Sequence, residues 1–169
     1  MSYFSSEKKS LISMSALVSS ATQTITTSLT AVTVFNNTSI TQLASSVKYP
    51  SISASSDTIL LESGWKYIIE PRFKANNVGA DTSTYLRYYI TSSGSTISSI
   101  GMMPIYRDLA SQASYSQEKC VAYIDAISSS QSISIMAQRV GGSANIGING
   151  DAGGINTNAR SYILIKAWR

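Results

Sequence analysis

The chain has 169 residues, 43% of them hydrophobic and only 13% charged, with a formal net charge of +4. That length holds one domain with a substantial core and is short for two. A charged share about half the usual one, together with abundant Ile, Val and Tyr, excludes a disordered chain. Serine and threonine replace the missing charge, and they suit the open faces of strands and tight turns. The 13 basic residues are scattered, with only Lys8 and Lys9 adjacent, whereas nucleic-acid binders gather theirs in a patch. No nucleic-acid partner is expected, and no run approaches the roughly 20 apolar residues that span a bilayer.

Residues 1–23 are the least strand-like part. Leu11, Met14, Ala16, Leu17 and Val18 fit neither the helical nor the strand period cleanly, which leaves a short helix or an irregular arm open. Serines interrupt this apolar run and no A-x-A signal follows, so a secretory leader is not expected. Residues 24–35 are rich in β-branched side chains and end at Asn36-Asn37, a turn signal. Residues 40–50 are mixed, with room for a short strand near 46–49.

Residues 58–61 and 65–75 form the clearest pair. Trp65, Tyr67, Ile69, Phe73 and Ala75 alternate with Lys66, Glu70, Arg72 and Lys74, which predicts one long strand with a buried face. Because proline cannot donate to a ladder, Pro71 implies a bulge or an edge position in it. Residues 83–91 read as a strand with aromatics on both faces, to be covered on one side by the core and on the other by something else. Ser92-Ser93-Gly94-Ser95 is a turn. Residues 97–109 are ambiguous, with Pro104 expected to break them. Residues 117–127 alternate Cys120, Ala122, Ile124 and Ala126 against Val121, Tyr123 and Asp125, and residues 132–140 form a further strand. A glycine- and asparagine-rich connection over 141–158 leads to residues 162–168, an almost continuous apolar run that belongs in a sheet centre or a subunit interface. Turn signals at this steady spacing, without strong helices, predict an all-β sandwich or barrel.

The motif T-I-L-L-E-S-G-W-K-Y-I-I at residues 58–69 resembles the short strand, glycine turn and long inner strand of tumour-necrosis-factor and C1q-like jelly rolls. The terminal S-Y-I-L-I-K at residues 161–166 resembles their last apolar strand, and segments 117–127 and 132–140 stand where that fold has its penultimate hairpin. The resemblance covers residues 24–169, and with residues 65–75 as the inner strand it implies segments 117–127 and 162–168 as that strand's neighbours. It implies a single jelly-roll β-sandwich that forms homotrimers, as in phage capsid decoration (cement) and head-fibre proteins. The implied role is a non-enzymatic virion protein on the capsid surface, made in the host cytoplasm, with the major capsid protein or another virion protein as partner. The alternative it leaves open is a receptor- or glycan-binding head of a tail fibre, with a host surface glycan as ligand.

Site residues follow from these expectations. Tyr85, Tyr89, Tyr123, Tyr162 and Trp168 are candidates for a trimer interface, where aromatics are enriched. Lys8, Lys9, Leu11, Met14 and Leu17 are candidates for capsid attachment through the segment 1–23. Cys120 has no histidine partner, because the chain contains none, and is expected to be a buried, inert thiol. The 9 acidic residues show no acid/base pair in sequence, so no catalytic residues are expected; a polysaccharide hydrolase would need two carboxylates brought together in a cleft. Residues 147–154 lack the Lys-Ser/Thr of a phosphate cradle. As a calcium loop they offer Asp151 with Asn145, Asn149 and Asn156 as weak helpers, against the simpler reading of a hairpin connection. No cofactor or metal is expected.

Overall fold

A computed structural model of the chain describes residues 13–18, 23–33, 40–45, 50–55, 58–77, 81–107, 114–115, 120–126, 128–143, 145–148 and 161–169. Among them every regular element is a strand. In chain order these are β1 (Ser13–Val18), β2 (Gln23–Ile25), β3 (Thr30–Ala31), β4 (Ile40–Ser45), β5 (Ile52–Ser55), β6 (Thr58–Leu61), β7 (Lys66–Arg72) and β8 (Lys74–Asn77). There follow β9 (Asp81–Ser92), β10 (Ser95–Thr96), β11 (Gly101–Arg107), β12 (Ser114–Tyr115), β13 (Ala122–Asp125), β14 (Gln131–Val140), β15 (Ile146–Ile148) and β16 (Tyr162–Trp168).

The strands build three antiparallel sheets. A five-stranded sheet runs β13-β7-β16-β1-β4, and a seven-stranded sheet runs β10-β9-β14-β6-β5 with β11 on β9 and β3 on β14. A four-stranded sheet runs β12-β8-β15-β2. The pairings nest along the chain: β1 with β16, β6 with β14, β7 with β13, and β9 with β11. Each pair lies inside the previous one in sequence.

Alternation explains why two sheets share one core. Along β7, Tyr67, Ile69 and Pro71 are buried, and along β16 so are Ile163, Ile165 and Ala167. From the seven-stranded sheet come Leu86, Tyr88 and Ile90 of β9 with Ile133, Ile135 and Ala137 of β14. All of these inner-face hydrophobics join one cluster, so the architecture is sandwich-like.

The expected neighbours of β7 are the observed ones, with β13 on one side and β16 on the other. Gly64, at φ 82°, turns the chain out of β6 into this strand, a conformation that favours glycine. Its N–H donates to the Ala126 carbonyl at 2.8 Å, while Ala126 donates to Trp65, which extends the β7–β13 ladder beyond the strand ends. The Tyr67 hydroxyl donates back to the Glu62 carbonyl at 2.9 Å and holds that turn from inside.

The single long strand expected over 65–75 is two strands in two sheets. The ladder breaks at Phe73, and β8 leaves for the four-stranded sheet with β15 and β12. Pro71 pairs with Ile163 on one side, and on the other the β13 pairing reaches only Ile69. Proline thus sits where one neighbour has already ended.

Other expectations are corrected in detail. Pro104 does not break its segment: β11 is continuous across it, and Pro104 stands opposite Tyr85 on a strand that, among the described residues, pairs with β9 alone. The 141–158 connection contains β15, whose Ile146, Gly147 and Ile148 are all buried between β2 and β8. Within residues 40–50 the described strand is β4, ahead of residues 46–49, where the short strand is expected and which lie outside the described residues. Instead of a helix or an irregular arm, Ser13–Val18 is a strand between β4 and β16, bulged at Met14/Ser15 against β4.

Candidate functional site

With the inner faces spent on the core, the side chains available to a partner are those of the two outer faces. The five-stranded sheet presents Tyr123 from β13, Ile68 and Glu70 from β7, and Leu164, Lys166 and Trp168 from β16. Register brings them together: Tyr123 stands opposite Ile68, Ile68 opposite Lys166, and Leu164 opposite Glu70. The Tyr123 and Trp168 rings pack at 5.8 Å between centroids with a 53° tilt. Tyr123 nevertheless remains 56% exposed, which leaves most of an aromatic surface without cover in the single chain.

Charge on this face is matched internally. Glu70 accepts from Lys166 Nζ at 2.9 Å and from Arg72 Nη2 at 3.1 Å, and Lys66 pairs with Asp125 at 3.5 Å. Burial acts to raise the Glu70 carboxyl, but the hydrogen bonds and charges of Lys166 and Arg72 outweigh it and hold the group below its ordinary value. At the sheet's end the Arg169 guanidinium lies 4.4 Å from the centre of the Trp65 ring, a cation–π contact.

The seven-stranded sheet presents a different outer face. Tyr85, Arg87 and Tyr89 point outward from β9, with Pro104 and Met102 opposite the first two on β11. Val140, Gln138 and Met136 stand opposite the same three on β14. Tyr85 is 41% exposed and Leu60 of β6 47%. Arg87 enters no ion pair among the described residues, and its buried Nε has no hydrogen-bond partner.

The five aromatic candidates therefore divide. Tyr123, Tyr162 and Trp168 belong to the five-stranded sheet, whereas Tyr85 and Tyr89 lie on the seven-stranded one, so they do not form one patch. The signal that groups Arg87 with the latter two is their shared parity on β9, which the sequence carries. Of the attachment candidates, Lys8, Lys9 and Leu11 lie outside the described residues, and Met14 and Leu17 fall in β1, opposite Lys166 and Ile163 in register. Of the calcium-loop candidates, Asn145 is exposed, and Asn149, Asp151 and Asn156 lie outside the described residues.

Cys120 is fully buried, and its thiol donates to the Ser99 carbonyl at 3.1 Å with Ser98 Oγ at 3.4 Å. Burial pushes this thiol above its ordinary value, which opposes the thiolate a nucleophile needs. Among the described residues, no group of three or more His, Cys, Asp or Glu could hold a metal ion. No protein family matches the chain, and no curated protein matches it in sequence.

Proposed function

We propose that the chain is a single jelly-roll sandwich that self-associates as a trimer through the outer face of its five-stranded sheet. In this reading it serves as a non-enzymatic structural protein of a virion, attached to the capsid surface. The jelly-roll reading is supported by the nested antiparallel pairs and by the way the chain changes sheets from β6 to β7, β7 to β9, β11 to β13, β13 to β14 and β14 to β16.

One observation carries the self-association. The Tyr123–Trp168 pair, Ile68 and Leu164 form an apolar surface whose charges are already paired within it, three cations on two carboxylates. Such a face loses little electrostatic solvation when a second copy covers it, and aromatic anchors of this kind dominate interface energies. The virion setting rests on the resemblance of residues 58–69 and 161–166 to tumour-necrosis-factor and C1q-like jelly rolls, a fold that phage particles use in decoration and fibre-head proteins.

Light scattering on the full chain tests the assembly. The expected mass is three times the 18.1 kDa of one chain, and Trp168→Ala combined with Tyr123→Ala is expected to return it toward one. A wild-type chain that stays monomeric at all concentrations would sink the proposal. Attachment is tested by removing residues 1–12 alone, since a cut to residue 23 would also delete β1 from the sheet centre. Loss of particle binding with the oligomer intact is the expected result; full retention rejects the attachment role.

A further inference from the structure

The two outer faces differ in how they treat charge, and that difference points to a ligand site. On the five-stranded sheet each described cation of the central strands β7 and β16 has a carboxylate within 3.5 Å. On the seven-stranded sheet Arg87 has none among the described residues. Its cross-strand neighbours are Met102 and Gln138, and its same-face neighbours along β9 are Tyr85 and Tyr89. A guanidinium is a planar fork suited to two oxygens of one carboxylate. Here its Nε lies buried without an acceptor, so an incoming carboxylate would meet the guanidinium at its terminal nitrogens.

We propose that the outer face of the seven-stranded sheet binds a carboxylate-bearing saccharide, with Arg87 gripping the acid group and Tyr85 and Tyr89 stacking against sugar rings on either side.

Same-face positions along a strand repeat at about 7 Å, so the two tyrosines flank Arg87 at that interval in a straight row. The C–H faces of pyranose rings match aryl planes, and their peripheral hydroxyls match the amide of Gln138. An acidic peptide fits less well. Peptides join sheets by pairing with an open strand edge, but β9 is hydrogen-bonded to β14 on one side and to β10 and β11 on the other. Arg87 therefore sits on a strand whose own edges are both paired. A rigid ring system also loses less conformational freedom than a peptide when laid on a flat surface.

The test uses the full chain with sialyllactose and tri-galacturonic acid as probes, against lactose and carboxyl-reduced tri-galacturonic acid as neutral counterparts. A glutamate-rich peptide serves as the competing class. At least one acidic saccharide is expected to bind, with its neutral counterpart weaker by about tenfold or more, the worth of a charged hydrogen-bonded contact. Arg87→Gln should cause a similar loss, Arg87→Lys a smaller one because it keeps charge without the fork, and Tyr89→Ala a loss with charge intact. Ser129→Ala in the exposed turn between β13 and β14 should bind as wild type. Equal binding of acidic and neutral sugars, wild-type binding by Arg87→Gln, tighter binding of the peptide, or no binding of either acidic sugar would each overturn the proposal. Because mass is measured separately on the same samples, failure of the trimer and failure of this site are distinguishable.

Discussion

The ring of Tyr88 covers the backbone of Gly101, its partner on the adjacent strand, so closely that a Cβ at Gly101 would fall 2.4 Å from Tyr88 Cζ. Tyr88 is itself fully buried and meets the Phe73 ring edge-on, with 4.8 Å between centroids. A glycine at this position therefore makes room for an aromatic ring that links β9 to the sheet-changing corner at Phe73. Gly101→Ala is expected to cost about 1–3 kcal/mol through overpacking, read as a lower urea midpoint at unchanged slope. In a Tyr88→Ala background the added methyl meets no ring, so the same substitution should cost little. Additive losses in that double-mutant cycle would show that the contact is not what excludes a side chain.

Glu70 is the hub of the five-stranded sheet's outer face, with a side chain only 13% exposed between Lys166 and Arg72. Glu70→Gln should cost about 1–2 kcal/mol at neutral pH, less than for a fully buried pair because both cations keep partial contact with water. The carboxyl lies below its ordinary value of 4.5 in the folded chain. Its contribution is therefore complete above that value and is lost as pH falls through the lowered one. Denaturation curves of wild type and variant should separate near neutrality and converge in acid; a constant gap would assign the loss to packing instead.

How far the sequence reveals this arrangement depends on the element. β7 and β13 are legible because their alternation coincides with one buried face, and β16 because its almost continuous apolar run marks the middle of a sheet. The break at Phe73 is invisible to the same test. Trp65, Tyr67, Ile69, Pro71, Phe73 and Ala75 are all buried, so the period continues while the chain changes sheets. β1 hides for the opposite reason, since it spans a bulge against β4 and its apolar residues fit neither period. β15 is three residues long, too short for a period of two to show. Parity along β9 groups Tyr85, Arg87 and Tyr89, but only the sheet order separates them from Tyr123 and Trp168.

Alkaline behaviour reports on Tyr67. Burial, helped by the charge of Glu62, raises its hydroxyl above the ordinary value of 10.0, against the smaller lowering effect of its hydrogen bond to the Glu62 carbonyl. The stability tied to the protonated ring is present in full below pH 10.0 and declines as pH rises beyond it. Tyr67→Phe should cost about 1 kcal/mol near neutrality, from the lost bond to Glu62, and should show a shallower decline in base. Thermal midpoints measured from neutral to strongly alkaline pH check this, and parallel curves would reject it.

Thr84 carries an opposite expectation. It is 2% exposed on the inner face of β9, opposite Ile105, and its Oγ1 has no hydrogen-bond partner. A buried hydroxyl without a partner costs free energy that the unfolded chain, hydrated there, does not incur. Thr84→Val keeps the branched shape and removes that cost, so it should raise stability by about 1 kcal/mol. Thr84→Ser keeps the hydroxyl and removes the methyl, so it should lower stability by a similar amount. Urea midpoints of the two variants are expected to move in opposite directions from wild type. If both fall, the hydroxyl is engaged rather than stranded, and the inner end of β9 is held by a polar contact.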